Sequence, residues 1–237
     1  MARVTQEHVE ARNGQILDAA WICFARKGYY ETTMQDIADE AGLSAGAIYR
    51  YFPSKDAVLR AINDRSQETG RALVQQARSL AGGPLDAMRI IGEAMLSLFN
   101  DPDFEATTRV NVEIWPHIMR DQRLREGYRT ELSFWHRVIS DLLADARARG
   151  QFLVDVEPEA LASLYICAWE GFRHYALIDP ERFHPEILLT LTRSLITGMT
   201  IDEPTAPPSP GIDAPPWRMP ASRRHEQKEN PDGPSDS

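Results

Sequence analysis

Little in this chain could cross-link it, span a membrane or give it an overall attraction for nucleic acid. Two cysteines in 237 residues cannot build a disulfide framework. Cys23 and Cys167 both fall in apolar stretches and read as buried free thiols. No apolar run reaches the roughly 18 residues that a membrane-spanning helix needs. The amino terminus, MARVTQEHVEARN, lacks the apolar centre of a signal peptide, so the expected location is the cytoplasm. Positive charge is in deficit: 26 Lys and Arg stand against 35 Asp and Glu, a formal net charge of -9. Any contact with nucleic acid must therefore come from one local surface and not from the average field. The chain also has no glycine-rich phosphate loop, no cluster with zinc-ligand spacing and no nucleophile elbow. It offers nothing that points to an enzyme, a cofactor or a bound metal.

Helical periodicity is abundant, and no stretch alternates as a strand would, so the fold class is all-α. Ile16, Leu17, Ala20 and Phe24 stripe a first helix over about 9–27, which Gly28 ends. Thr33 begins a second helix, with Asp36 three positions on as in a capping box, and Gly42 stops it. Ser44 caps a very short third helix and Ser54 a long fourth one, over about 54–80, with Asp56 in its first turn. Further helices are expected near 85–99, 103–116, 120–149, 158–178 and 184–198. Pro102 and Pro158 suit first-turn positions, and Gly150 suits a helix stop. Nine of the 16 prolines lie between 204 and 234, in a segment with few core formers. Such a segment cannot repay the entropy of ordering by burial, so 201–237 reads as a disordered, solvated tail.

The stretch AGLSAGAIYRYFPSKDAVLRAI, residues 41–62, sorts its side chains into two sets. Leu43, Ile48 and Phe52 can face a core, while Ala45, Gly46, Tyr49 and obliquely Arg50 face outward. Small residues on the outer face let a helix sink into a major groove. Tyr49 can reach a phosphate or make a flat apolar contact. Thr33, with the amides at its helix start, can seat a phosphate, and Lys55 adds a charge for the next one. The pattern carries this reading, since residues 1–60 hold seven Lys or Arg against eight Asp or Glu. Asp36, Asp39 and Glu40 must point away from the groove.

Residues 10–62 resemble the amino-terminal domain of TetR-family transcriptional regulators. The likeness is carried by TTMQDIA at 32–38 and by AGLSAGAIYRYFPSK at 41–55. It implies a three-helix DNA-binding domain (about 1–55) joined by the fourth helix to a helical ligand-binding and dimerisation domain (56–200). It also implies a homodimer on double-stranded palindromic operator DNA that a small-molecule effector releases. On the matching positions, Thr33 and Lys55 would hold phosphate and Met34 would lie where some members reach a base. Ser44, Ala45 and Gly46 would open the recognition helix, and Tyr49 and Tyr51 would meet backbone and groove edge. Long polar side chains are few there, so Arg50, Arg3 or Arg12 would supplement base reading, and DNA shape would contribute.

The second domain is similar, more loosely, to the BetI-type branch through Trp115, Asp121, Leu124, Arg125, Tyr128, Trp135, Gly150, Phe152, Pro158 and Gly171. The last two helices would form the dimer seam, with Trp169, Gly171, Phe172 and Tyr175 on one and Leu188, Leu191, Leu195 and Ile196 on the other. An effector pocket would draw on Met88, Met95 and Phe99, on Val112, Trp115 and Met119, on Tyr128, Phe134 and Trp135, and on Trp169 and Phe172. Those side chains suit an apolar or planar ligand, and each also suits plain core packing. Glu113, His117, His136, Glu170 and His174 could supply polar points, with Glu170 and His174 one turn apart. A helical protein-interaction adaptor would explain the bundle but leave the exposed 44–55 face without a purpose. An enzyme is the remaining alternative.

Overall fold

The computed structural model describes residues 6–184, apart from 102, 153, 154 and 156, and also residue 190. The expected ninth helix, apart from positions 184 and 190, lies outside the described residues, as do the tail and Pro102. Among the described residues there are eight α-helices. They are α1 (Gln6–Lys27), α2 (Met34–Ala41), α3 (Ala45–Tyr49), α4 (Lys55–Leu80), α5 (Pro84–Leu96), α6 (Phe104–Arg120), α7 (Gln122–Ala148) and α8 (Pro158–Ile178). A single 3-10 turn, Ser97–Asn100, follows α5.

Local capping sets most of these boundaries. Thr33 and Asp36 form a reciprocal capping box at the start of α2. The hydroxyls of Ser44 and Ser54 accept the N–H groups of Ala47 and Ala57, both at 3.2 Å. Gly28, Gly42 and Gly150 have positive φ, and each ends or follows a helix where the chain must reverse its hand. One boundary differs from expectation. α6 runs through Pro116 to Arg120, although the periodic reading stopped it at 116. Proline removes one helical hydrogen bond there, but Ile118 beyond it is buried, and that packing keeps the last turn helical.

One apolar core joins α1 to α4 with parts of α6 and α7. Ile16, Phe24, Ile37, Ile48, Phe52 and Val58 belong to the same buried cluster as Val110, Ile118 and Leu124. A second cluster, built on Val74, Ile90, Ile91, Val138 and Leu142, fills the distal end between α4, α5 and α7. α8 packs along α7 and touches α6. Among the described residues its far side is exposed: Leu164 and Ile178 are 60% and 80% exposed, and Cys167, Gly171 and Tyr175 share that stripe. Cys167 is thus an exposed thiol and corrects the expectation that both cysteines are buried; Cys23 is buried as expected. No helix among the described residues is long and apolar enough to cross a membrane.

Candidate nucleic-acid interface and effector site

α2 and α3 meet at the Ala41–Ser44 turn. Gly42 adopts φ +64 and its neighbour Leu43 returns its N–H to the Ala38 carbonyl at 2.9 Å. Ile48 and Phe52 then drop into the core, at 0% and 8% exposure. Burial of two such side chains contributes about 1.5–3 kcal/mol each and fixes which face of α3 is left outside. That outer face holds Ser44, Gly46, Tyr49 and Arg50, with Ala45 partly covered. Tyr49 is 53% exposed, and a Cβ added at Gly46 would meet nothing within 4 Å. Arg50 lies 6.0 Å from the ring of the half-buried Tyr51.

Beside it, Thr33 is exposed and Met34 half-buried at the start of α2. The Thr33 hydroxyl is spent locally: it donates to Asp36 at 2.8 Å and accepts the Asp36 N–H at 3.1 Å. The first-turn amides of Met34 and Gln35 have no carbonyl partner within their own helix. The acidic residues of α2 are occupied inside the head. Lys27 donates to Asp36 at 2.6 Å, Arg26 to Glu40 at 2.7 Å and Gln35 to Asp39 at 2.7 Å. The Lys27 ammonium and the two Thr33 hydrogen bonds hold Asp36 far below the ordinary carboxylate range.

Lys55 is placed differently from a free phosphate hook. Its Nζ donates to the carbonyls of Tyr29, Tyr30 and Thr32 at 2.5, 3.1 and 2.7 Å and lies 4.5 Å from the Tyr29 ring centre. Burial pulls its pKa down, against the nearby charges of Asp56 and Glu31. Its ammonium therefore braces the turn between α1 and α2.

The same turn is also held from α6, which the sequence reading missed. Glu113 on α6 accepts the Tyr29 N–H at 2.9 Å. One turn on, His117 Nε2 donates at 3.0 Å to Asp56 Oδ1, the oxygen that also takes the Tyr29 hydroxyl. Burial pushes Asp56 up, but these two hydrogen bonds, with the charges of His117 and Arg60, outweigh it and keep Asp56 ionised below its usual range. Glu113 and His117 thus brace the turn between α1 and α2. The expectation gave them as polar points of a pocket. Their i, i+4 spacing put them on one face, but nothing local said what that face meets.

The other expected pocket residues fall into separate groups. Met88, Met95, Phe134 and Trp135 pack on the distal core, with the Phe134 and Trp135 rings 5.1 Å apart. Trp115 meets Tyr128 edge-on at 5.1 Å, and Phe99 meets Trp169 at 5.4 Å. Phe172 is half-buried on α8. Val112 and Met119 lie on the exposed side of α6, at 37% and 60% exposure. Near Tyr128, burial pushes Glu131 up to about 7, against the pull of Arg173. Glu170 faces Arg173 at 3.6 Å; its backbone carbonyl, not its carboxylate, accepts His174 Nδ1 at 2.6 Å. His136 Nε2 lies 3.2 Å from the Glu159 carbonyl and 3.1 Å from the Ser163 hydroxyl.

A three-helix head with a capped, outward-facing second helix of the turn, set on a helical bundle, defines a helix-turn-helix regulator. The model for bacterial regulatory proteins of the tetR family matches residues 16–62, and the model for the carboxy-terminal part of BetI-type transcriptional repressors matches residues 84–200. The chain is 33% identical over 185 residues to the Pseudomonas putida protein named "Probable HTH-type transcriptional regulator ArpR", covering 76% of this chain and 87% of that one. It is 29% identical, with the same coverage, to the HTH-type transcriptional regulator TtgR, also of Pseudomonas putida. Among solved structures, a SmeT–triclosan complex aligns with a TM-score of 0.67 at 23% identity, over 86% of this chain and 100% of that chain. The chain belongs to the TetR family of transcriptional regulators.

Proposed function

We propose that this protein is a ligand-responsive repressor that binds palindromic operator DNA as a homodimer and lets go when a small, apolar or aromatic effector enters the second domain. The observation that carries the reading is the outer face of α3. Ser44, Ala45, Gly46, Tyr49 and Arg50 form a shallow, unobstructed surface whose back is locked by Ile48 and Phe52. Small residues there permit close approach to base edges, with Met34, Tyr51 and the start of α2 at its flanks. Two such heads, about one DNA turn apart, match a two-fold operator. The open apolar stripe of α8, running Leu164, Gly171, Tyr175 and Ile178, supports the homodimer, since an isologous contact needs one self-complementary face. Trp115 with Tyr128, and Phe99 with Trp169, supply aromatic edges suited to a planar effector.

Operator selection from random duplexes, followed by titration at several salt concentrations, tests the reading. A regulator enriches a two-fold sequence and loses affinity steeply with salt. A protein that ignores every duplex at low salt is not one. Adding triclosan to the complex, as one planar aromatic probe, then asks whether this ligand class weakens operator binding.

A further inference from the structure

We propose that Glu113 and His117 are positioning residues for operator binding, and that α6 holds the DNA-reading head directly through them. The inference rests on the regulator reading and adds to it a route of control.

The node is built around one residue, whose two flanking peptide groups are held from different helices. The Tyr29 N–H is held by Glu113 of α6 at 2.9 Å, and its carbonyl is held by Lys55 of α4 at 2.5 Å. The Tyr29 hydroxyl and His117 Nε2 converge on a single oxygen of Asp56. The rings of Tyr29 and His117 lie 5.5 Å apart, and Tyr30 meets His117 edge-on at 6.4 Å. Gly28, at φ +81, leaves room for the carboxylate: a Cβ there would come within 2.5 Å of Glu113 Oε2. Two elements from different parts of the chain thus grip the segment that runs straight into Thr33 and the exposed start of α2.

The core beneath is continuous as well. Val110 and Ile118, on either side of the node along α6, are buried in the cluster that contains the Ile37 and Ile48 of α2 and α3. A shift of α6 cannot leave the head where it was: a hydrogen bond to a carboxylate weakens sharply when the acceptor moves by an ångström or turns away. Trp115 lies on the same helix, between Glu113 and His117, and touches Tyr128 of α7. A ligand that displaces Trp115 therefore turns the very segment that holds Tyr29. The Glu113 half of this path enters the α1–α2 turn directly, and the His117 half reaches it through Asp56 in the first turn of α4. By linkage, operator bound to the head must in return stabilise α6.

The experiment uses the full-length protein and the duplex that it selects itself. Amide hydrogen exchange is followed with and without duplex in the wild type, in E113A/H117A and in E113Q, and operator affinity is measured by fluorescence anisotropy. In the wild type, the duplex slows exchange over 28–34 and also over 110–118. In E113A/H117A, affinity falls about tenfold, the operator-dependent slowing over 110–118 disappears, and that over α3 persists. E113Q, whose amide oxygen still accepts the Tyr29 N–H, restores the slowing over 110–118. Simple destabilisation would speed exchange with and without duplex alike and leave their difference intact. The proposal is overturned if E113A/H117A keeps wild-type affinity, or keeps operator-dependent slowing in α6. A wild type that selects no duplex overturns the regulator reading, and this inference with it.

Discussion

Glu113 accepts the backbone N–H of Tyr29 at 2.9 Å across 84 positions of sequence. The carboxylate can approach because Gly28 has no side chain, and the chain can turn there because glycine tolerates φ +81. Two different requirements therefore fall on one residue.

They can be separated by mutation. Gly42 also has positive φ, +64, but a Cβ there meets nothing within 4 Å. G42A carries backbone strain alone and lowers stability by about 1 kcal/mol. G28A carries the strain and also displaces Glu113, and costs about 2–3 kcal/mol. In an E113A background the second part vanishes, so the two changes are non-additive. Urea unfolding at fixed protein concentration measures each value.

Tyr49 of α3 and Arg50 at its C-cap are exposed, whereas Lys55 of α4 is braced against three carbonyls. Y49A and R50A are expected to weaken operator binding by about 1–2 kcal/mol with unchanged melting temperature, and R50A to lower the salt slope by roughly one. K55A is expected to lose melting temperature together with affinity, because it frees the α1–α2 turn. Anisotropy titration and thermal melts on the same samples distinguish the two patterns.

Glu131 supplies a pH dependence. Burial raises its folded pKa to about 7 against Arg173, so the folded state holds a proton that the unfolded chain releases near the usual carboxylate value. Stability from this group is present at low pH and falls as pH rises from about 4.5 to about 7. E131Q flattens that fall and raises the melting temperature at pH 8 by about 2–4 °C. Melts of the two proteins from pH 5 to pH 8 check the sign: a wild type that gains relative to E131Q with rising pH contradicts it.

The α8 stripe is tested through its own thiol. Cys167 lies between Leu164 and Gly171 on the exposed face. In a dimer sealed by that face, Cys167 reacts slowly with a maleimide. I178E or L164E places a charge in the seam, gives a monomer by light scattering and speeds the reaction several-fold. Equal rates in wild type and monomeric variant would remove α8 from the interface.

Much of the fold was legible because its signals are local. Thr33 with Asp36, Ser44, Ser54, Gly42 and Gly150 each act within a few residues, and each sets the boundary expected of it. The expected end of α6 at 116 falls short of Arg120 because the burial of Ile118 that keeps the last turn helical is not a local signal. Cys167 misled because an apolar stripe left exposed among the described residues has the same periodicity as a buried one. Glu113 and His117 were picked out as polar points of a pocket, but their partners lie 84 and 61 positions away. Lys55 was read as a charge for phosphate, and only the packing of α4 against the α1–α2 turn directs its ammonium inward.

The ion pairs of α2 bear on how such proteins are recognised at all. Asp36 and Glu40 are each matched by a cation from the end of α1, Lys27 and Arg26. A tally of ionisable residues therefore counts as repulsive two groups whose field is largely cancelled before a polyanion comes near. A survey that ranked candidates by isoelectric point would discard this chain, at about 5.2. One that ranked them by unmatched charge on the outer face of a single short helix would keep it.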